Sequence, residues 1–252
     1  MLPQKCINLY KYGHESCEKP PYFNGGFAEY IYLRPGTAIL KIPNELSDEE
    51  VTPVNCSTST VAACLDYSSF KSGDFVVVQG LRMLGINACA MAKDRGARWV
   101  VALDVDKNRL NMEKKFGADE LINIQEITVD KIIYKNRGPD LVIEATGDPS
   151  MILFGLKLLR IGGSYSFLGT VSPGAYVEID SYNIVSKQLT IQGIHNYNSR
   201  HLVQAMDFLS RGKNRYPLEL TTHRFPLIET ERALQLLANR GAVRPVIFPG
   251  MD

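Results

Sequence analysis

Phe75-Val-Val-Val78 is an apolar run with no polar residue inside it, and it is followed at once by a glycine turn. Such a run suits a strand buried on both faces, which is the condition of a strand inside a parallel sheet. Further strand-like runs follow at Trp99-Val-Val-Ala-Leu103, Leu121-Ile-Asn-Ile124, Leu141-Val-Ile-Glu-Ala145, Tyr165-Ser-Phe-Leu168 and Leu189-Thr-Ile-Gln192. Residues 85–95, 107–116 and 150–159 between them carry helical spacing. Strands alternating with helices of about ten residues predict right-handed crossovers and an α/β fold with a doubly wound parallel sheet.

The flanks read differently. Residues 1–45 are loop and strand, punctuated by Pro20-Pro21 and Gly25-Gly26, and Phe27-Ala-Glu-Tyr-Ile-Tyr-Leu33 has strand-type residues. Ser47 with Glu50 three positions later predicts a capping box at a helix start, and a second helix is expected over 61–70. Beyond Gly193 the alternation stops; helices are expected over 202–209 and 229–238, and a last strand over 244–248. None of the apolar runs approaches the roughly 20 residues that cross a bilayer. The first residues lack the pattern of a secretory signal, so a cytoplasmic protein is expected. With 28 Lys and Arg against 27 Asp and Glu the net charge is +1, which argues against a nucleic-acid partner.

The richest local pattern is Val76-Val-Val-Gln-Gly80-Leu-Arg82-Met-Leu-Gly85: a strand, a tight turn and a helix start. A dinucleotide-binding turn has the form Gly-x-Gly-x-x-Gly, in which the second glycine lets the backbone approach the pyrophosphate. Gly80 and Gly85 hold the first and third places, and Arg82 stands in the second. Asp104 closes the next strand 19 residues beyond Gly85, close to the roughly 20 at which an acid meets the adenosine ribose. A carboxylate there repels a 2′-phosphate and so favours NAD over NADP. Arg82 either crowds the pyrophosphate with its stem or pairs with it through its guanidinium.

The five cysteines (6, 17, 56, 64 and 89) show no Cys-x-x-Cys spacing. Cys64 and Cys89, in apolar helical stretches, read as small buried hydrophobes. The histidines at 14, 195, 201 and 223 share no ligand spacing and read as surface or capping residues. The Tyr-x-x-x-Lys pair of short-chain dehydrogenases occurs only at Tyr67 and Lys71, before the glycine turn, and reads as chance.

Gly25-Gly-Phe-Ala-Glu-Tyr30, Pro43, Leu46-Ser47, Cys56, the turn at 80–85, Asp104 with Arg109-Leu110, Phe116-Gly-Ala-Asp119, Asp140-Leu-Val-Ile-Glu144 with Gly147, Gly162-Gly163, Leu168-Gly169 and Arg244-Pro245 run in an order that resembles the zinc-dependent medium-chain alcohol dehydrogenases. The likeness extends over essentially the whole chain. More narrowly, residues 2–14 resemble the phosphonate-catabolism-associated alcohol dehydrogenases.

The resemblance implies a Rossmann domain over residues 57–195. Parts of a β-rich, GroES-like catalytic domain would lie over 1–56 and 196–252. It implies oxidation of an alcohol, or reduction of an aldehyde, with NAD and zinc. Cys56 matches a catalytic-zinc ligand, and Thr60 and Leu84 match positions on the nicotinamide side. Arg109 matches a place near the adenosine ribose and Arg244 one that pairs with the pyrophosphate. Thr146, Gly147, Leu168 and Gly169 complete the expected coenzyme contacts. Set against the family, the chain reads as beginning late, without the other catalytic ligands and three structural-zinc cysteines; Cys6 matches the fourth. Gly13-His14-Glu15 imitates a catalytic motif but stands in the wrong place for it. A homodimer or homotetramer is implied, paired along the edge supplied by 165–171 and 189–194. Two other readings stay open: an inactive NAD-binding chain, and a zinc-free reductase using NADPH.

Overall fold

The computed structural model describes residues 2–126, 132, 138–171, 173–213, 215–216, 220–239 and 241–251. It divides into two compact units, residues 53–217 and residues 1–52 with 218–252. These divisions lie at 52/53 and 217/218, whereas the sequence suggested 56/57 and 195/196. Residues 199–212 fall with the sheet because their helix packs on the helix at 59–67.

The larger unit opens with a π-helical turn, Val54–Thr58, that runs into α2 (Ser59–Tyr67); α1 (Asp48–Val51) lies in the smaller unit. The chain then alternates through β1 (Phe75–Gln79), α3 (Met83–Asp94), β2 (Trp99–Asp104), α4 (Lys107–Glu113), β3 (Glu120–Asn123), β4 (Leu141–Glu144), α5 (Pro149–Leu158), β5 (Ser164–Phe167), α6 (Ser181–Ser186), β6 (Thr190–Gly193) and α7 (Ser199–Gly212). The strands form one parallel sheet in the order β3-β2-β1-β4-β5-β6. This is the doubly wound order, reversing between β1 and β4.

The apolar runs explain the placement. Every residue of β1 is buried, as the unbroken run predicts for the centre of the sheet. Val77 lies level with Val101 and Val142, in a core shared with Phe75, Leu103, Ile152 and Tyr165. Alternate residues point to the other face, where Val78 meets α3 at Gly85. Burying each such aliphatic side chain contributes about 1.5–3 kcal/mol. Gln79, buried in this core, is paired at both ends: Oε1 accepts the Tyr165 hydroxyl (3.0 Å) and Nε2 donates to the Met151 carbonyl (2.8 Å).

The smaller unit contains β7 (His223–Pro226), α8 (Thr230–Ala238) and β8 (Pro245–Phe248), the two strands forming a parallel pair. Among the described residues this pair is its whole sheet content. The capping box at the start of α1 is present, Ser47 N donating to Glu50 Oε2 (2.7 Å) and Glu50 N to Ser47 Oγ (3.3 Å). The strand expected over 27–33 does not form. Phe27 and Tyr30 are exposed, and no described strand runs beside the segment to complete a ladder. The sheet edge also differs from expectation: β5 lies between β4 and β6, so β6 alone presents an open edge on that side. No described helix is long and apolar enough to cross a membrane.

Candidate functional site

The carboxyl ends of β1, β2, β4 and β5 bring the sequence-predicted residues of 80–169 to one end of the sheet. Gly80 leaves β1 with φ +88, the left-handed region that favours glycine, and a Cβ there would lie 2.7 Å from Thr146 Cγ2. A Cβ on Gly85 would lie 1.8 Å from the Gly80 carbonyl oxygen. Gly80 is therefore set by its left-handed backbone and the approach of Thr146, and Gly85 by the packing of α3 against the end of β1. Arg82 is not: its φ of −80 is available to any residue. Its side chain is exposed and has no hydrogen bond or ion pair with any described residue.

Arg82 is the N-cap of α3 and offers no acceptor to the first turn, which also holds no acidic residue. By contrast α1, α4, α5, α6 and α7 are capped by Ser47, Asp106, Asp148, Asp180 and Asn198. The first amides of α3 thus lack a side-chain acceptor, at the positive end of a twelve-residue helix. That donor set fits an anion.

Asp104 is fixed beside this turn. Its Oδ2 accepts Leu81 N (2.7 Å) and Arg109 Nε (2.9 Å); its Oδ1 accepts Val105 N (2.7 Å), Asp106 N (2.9 Å) and Arg109 Nη2 (2.6 Å). Burial works to raise the Asp104 pKa, and the Arg109 fork with the Asp106 and Leu81 amides outweighs it, holding the carboxyl below its ordinary value. Arg109 is committed to this acid and, at 3.3 Å, to Asp106. The turn closes onto β2 through Gly80 N to the Leu103 carbonyl (2.8 Å).

On the β4 side, Glu144 is fully buried and its Oε1 accepts Thr146 N (2.5 Å), Thr146 Oγ1 (2.5 Å) and Gly147 N (2.7 Å). Its backbone carbonyl receives Leu168 N (2.8 Å) and Gly169 N (2.9 Å). A Cβ on Gly169 would lie 2.5 Å from Gly147 N. Thr146, Gly147, Leu168 and Gly169 are thereby held together by one acid that the sequence reading did not single out. Its signal was available: an apolar run ending in a carboxylate just before Thr-Gly. The contact of Leu81 with Asp104 had none, because it is made by the backbone.

Cys56 sits exposed in the π-helical turn, a distortion frequent at functional sites. Thr60 Oγ1 donates to the Cys56 carbonyl (2.7 Å), and Tyr197 donates to the Asn55 carbonyl (2.6 Å). Burial pushes the Tyr197 hydroxyl up to about 12, with Cys56 adding to the rise. Thr58 Oγ1 donates to Asn87 Oδ1 (3.0 Å), tying this turn to α3, on whose first turn Leu84 lies half-buried. Arg244 belongs to the smaller unit, where its Nη2 donates to the Thr52 carbonyl (2.5 Å).

Residues 84–211, just over half of the chain, match the model of the zinc-binding dehydrogenase family. The chain belongs to the zinc-binding dehydrogenase family. It is 30% identical over 241 residues to 5-exo-hydroxycamphor dehydrogenase of Pseudomonas putida, which covers 92% of this chain and 66% of that protein. It is 31% identical over 215 residues to L-threonine 3-dehydrogenase of Paraburkholderia phymatum, covering 83% of this chain and 60% of that one. Among solved structures it is similar to an alcohol dehydrogenase of Thermotoga maritima, with a TM-score of 0.92 and 32% identity over 98% of this chain and 70% of the other. The chain thus spans about three fifths to two thirds of the length of these two curated relatives.

The two cofactors named in the sequence reading fare differently. The uncapped turn, the two packed glycines and the placed acid fit a dinucleotide. A catalytic zinc needs three side-chain ligands, and of these the expected Cys56 would be one. Among the described residues no group of three or more His, Cys, Asp or Glu could hold a metal ion. The residues described do not fit zinc. His201, expected at the surface or as a cap, is a cap but is fully buried, its Nδ1 accepting Asn198 N (3.1 Å).

Proposed function

We propose that this chain binds NAD at the carboxyl end of its sheet and serves as the coenzyme-holding part of a dehydrogenase acting on an alcohol or aldehyde. The observation that carries this reading is the buried Asp104 carboxylate bonded at 2.7 Å to Leu81 N, inside the turn between Gly80 and Gly85. Coenzyme bound there supplies the hydride acceptor. The chain's own part is to bind and orient it. The bare amides of α3 receive the phosphates, Asp104 sets the turn that presents them, and Glu144 fixes the Thr146–Gly147 and Leu168–Gly169 backbones beside it. Asp104 already takes five protein donors, so a ribose hydroxyl joins it by exchange with one of them. NAD is favoured over NADP because a 2′-phosphate would meet this carboxylate while the nearest guanidinium, Arg109, is already spent on it.

Substrate identity follows the family only as a class. The relatives named above act on 5-exo-hydroxycamphor and L-threonine, and the likeness of residues 2–14 adds phosphonate-derived alcohols and aldehydes. Because Cys56 stands without a second and third ligand among the described residues, coenzyme binding without turnover is the second reading. A homodimer through the open β6 edge fits the exposure of Val185 and Tyr182 on the neighbouring helix. Titration calorimetry of the full chain with NAD and NADP tests the coenzyme assignment. NAD is expected to bind about tenfold or more tighter, and equal or inverted preference overturns it. NADH formation with those alcohols then separates the dehydrogenase from the binding-only reading.

A further inference from the structure

The dinucleotide pattern departs from its usual form at Arg82, and the departure has a chemical meaning. A glycine in this place serves the ligand, since it clears the backbone for close approach of the pyrophosphate. Here the backbone itself makes no demand for glycine, with φ −80 and ψ −169 at position 82. Instead the position carries an exposed guanidinium with no described protein partner. The cation beside the turn, Arg109 of α4, is consumed by Asp104 and Asp106. The neighbouring carboxylate is saturated as well, with five donors on a group that has about four lone-pair sites. Asp104 thus offers Arg82 no free acceptor. What remains is a planar, permanently charged fork on the lip of a donor set that already suits phosphate.

We propose that Arg82 is a phosphate-binding residue of the coenzyme turn, its guanidinium forking onto the diphosphate oxygens in place of the close backbone contact that glycine would allow. This rests on the reading of the turn as a dinucleotide site. It predicts a cradle in which a side chain supplies much of the phosphate affinity, with stronger salt dependence than backbone amides alone confer. It also assigns to the diphosphate the one cation of the turn that the protein does not use for itself.

The test is calorimetric titration of the full-length chain with ADP and, separately, with adenosine, for wild type, Arg82→Gly, Arg82→Ala and Arg82→Lys. Position 82 is an exposed N-cap without a capping bond, so these variants are expected to fold, and the Trp99 fluorescence spectrum checks this. Wild type is expected to bind ADP more tightly than adenosine. Arg82→Ala and Arg82→Gly should each weaken ADP by roughly ten- to a hundredfold, the usual loss for a charge-assisted hydrogen bond, and leave adenosine unchanged. Arg82→Lys should fall between, because it keeps the charge and loses the fork. The proposal is overturned if Arg82→Gly binds ADP as tightly as wild type or tighter, which would mean the stem merely crowds the phosphates. It is also overturned if adenosine weakens equally, which would put Arg82 on the nucleoside, or if wild type gains nothing from the phosphates. Failure of wild type to bind either probe would instead bring down the dinucleotide reading itself.

Discussion

The two compact units of this chain bury their apolar residues to very different extents. In residues 53–217, β1, β4 and most of β2 are buried, and Val61, Ala62, Cys64 and Cys89 in the helices have no exposed surface. Among the described residues of the smaller unit, the buried apolar side chains are Leu46, Phe225 and Ala233. Ile7, Phe23, Phe27, Tyr30 and Ile39 there are more than half exposed. One region completes its own core. The other bears apolar side chains that its own described residues do not cover, and the candidate site is built almost wholly on the first.

The sharpest way to break this contrast is a pair of glycine substitutions. Gly85→Ala puts a Cβ 1.8 Å from the Gly80 carbonyl and is expected to destabilise the larger unit by about 4 kcal/mol or more. Gly25→Ala meets nothing within 4 Å and should change stability by no more than about 0.5 kcal/mol. Urea unfolding followed through Trp99 reads the larger unit, because the chain's single tryptophan stacks on Phe75 there. Next in size, Phe208→Ala, in the buried face of α7, should cost about 3–5 kcal/mol. Phe27→Ala, 62% exposed, should be near neutral. Comparable losses in both members of either pair would contradict the division.

A smaller effect sharpens the comparison by pH. Glu113 on α4 is fully buried, with the Cys89 thiol of α3 beside its carboxyl. Burial pushes its pKa up to about 9 from 4.5, with the adjacent Cys89 thiol pulling slightly the other way. Between those two values the folded state holds a proton that the unfolded state has lost. Its contribution to stability is therefore full below about pH 4.5 and falls as the pH rises to about 9. Glu113→Gln should remove that decline, matching wild type near pH 5 and exceeding it near pH 9 in thermal melts. The same alkaline loss in the variant would place its origin elsewhere.

The contrast also explains what could be read from the sequence. The strand runs of the larger unit are buried by their neighbours in the same sheet, so the absence of polar alternation in 75–78 translated directly into β1. Ser47 with Glu50 is a local bond, and it formed. Residues 27–33 have equally strand-like side chains, but a strand requires a partner, which composition cannot supply. At the site, Gly80 and Gly85 were legible because packing demands them, and Asp104 because spacing places it. The saturation of Asp104 was not legible, since three of its five donors are backbone amides. Glu113 was hidden for a different reason: an acid beside Lys114 and Lys115 reads as solvated, and its burial depends on how α4 turns toward α3.

The most direct measurement is a titration of NAD into the isotope-labelled full chain, followed through its backbone amide resonances. Saturable shifts are expected at residues 80–85, 104–106, 146–147 and 168–169, the four strand ends that Asp104 and Glu144 hold together. Saturable shifts confined elsewhere, such as the cleft between α3 and α7 lined by Met91, Asp94 and Arg211, or none at all with NAD in excess, would contradict it.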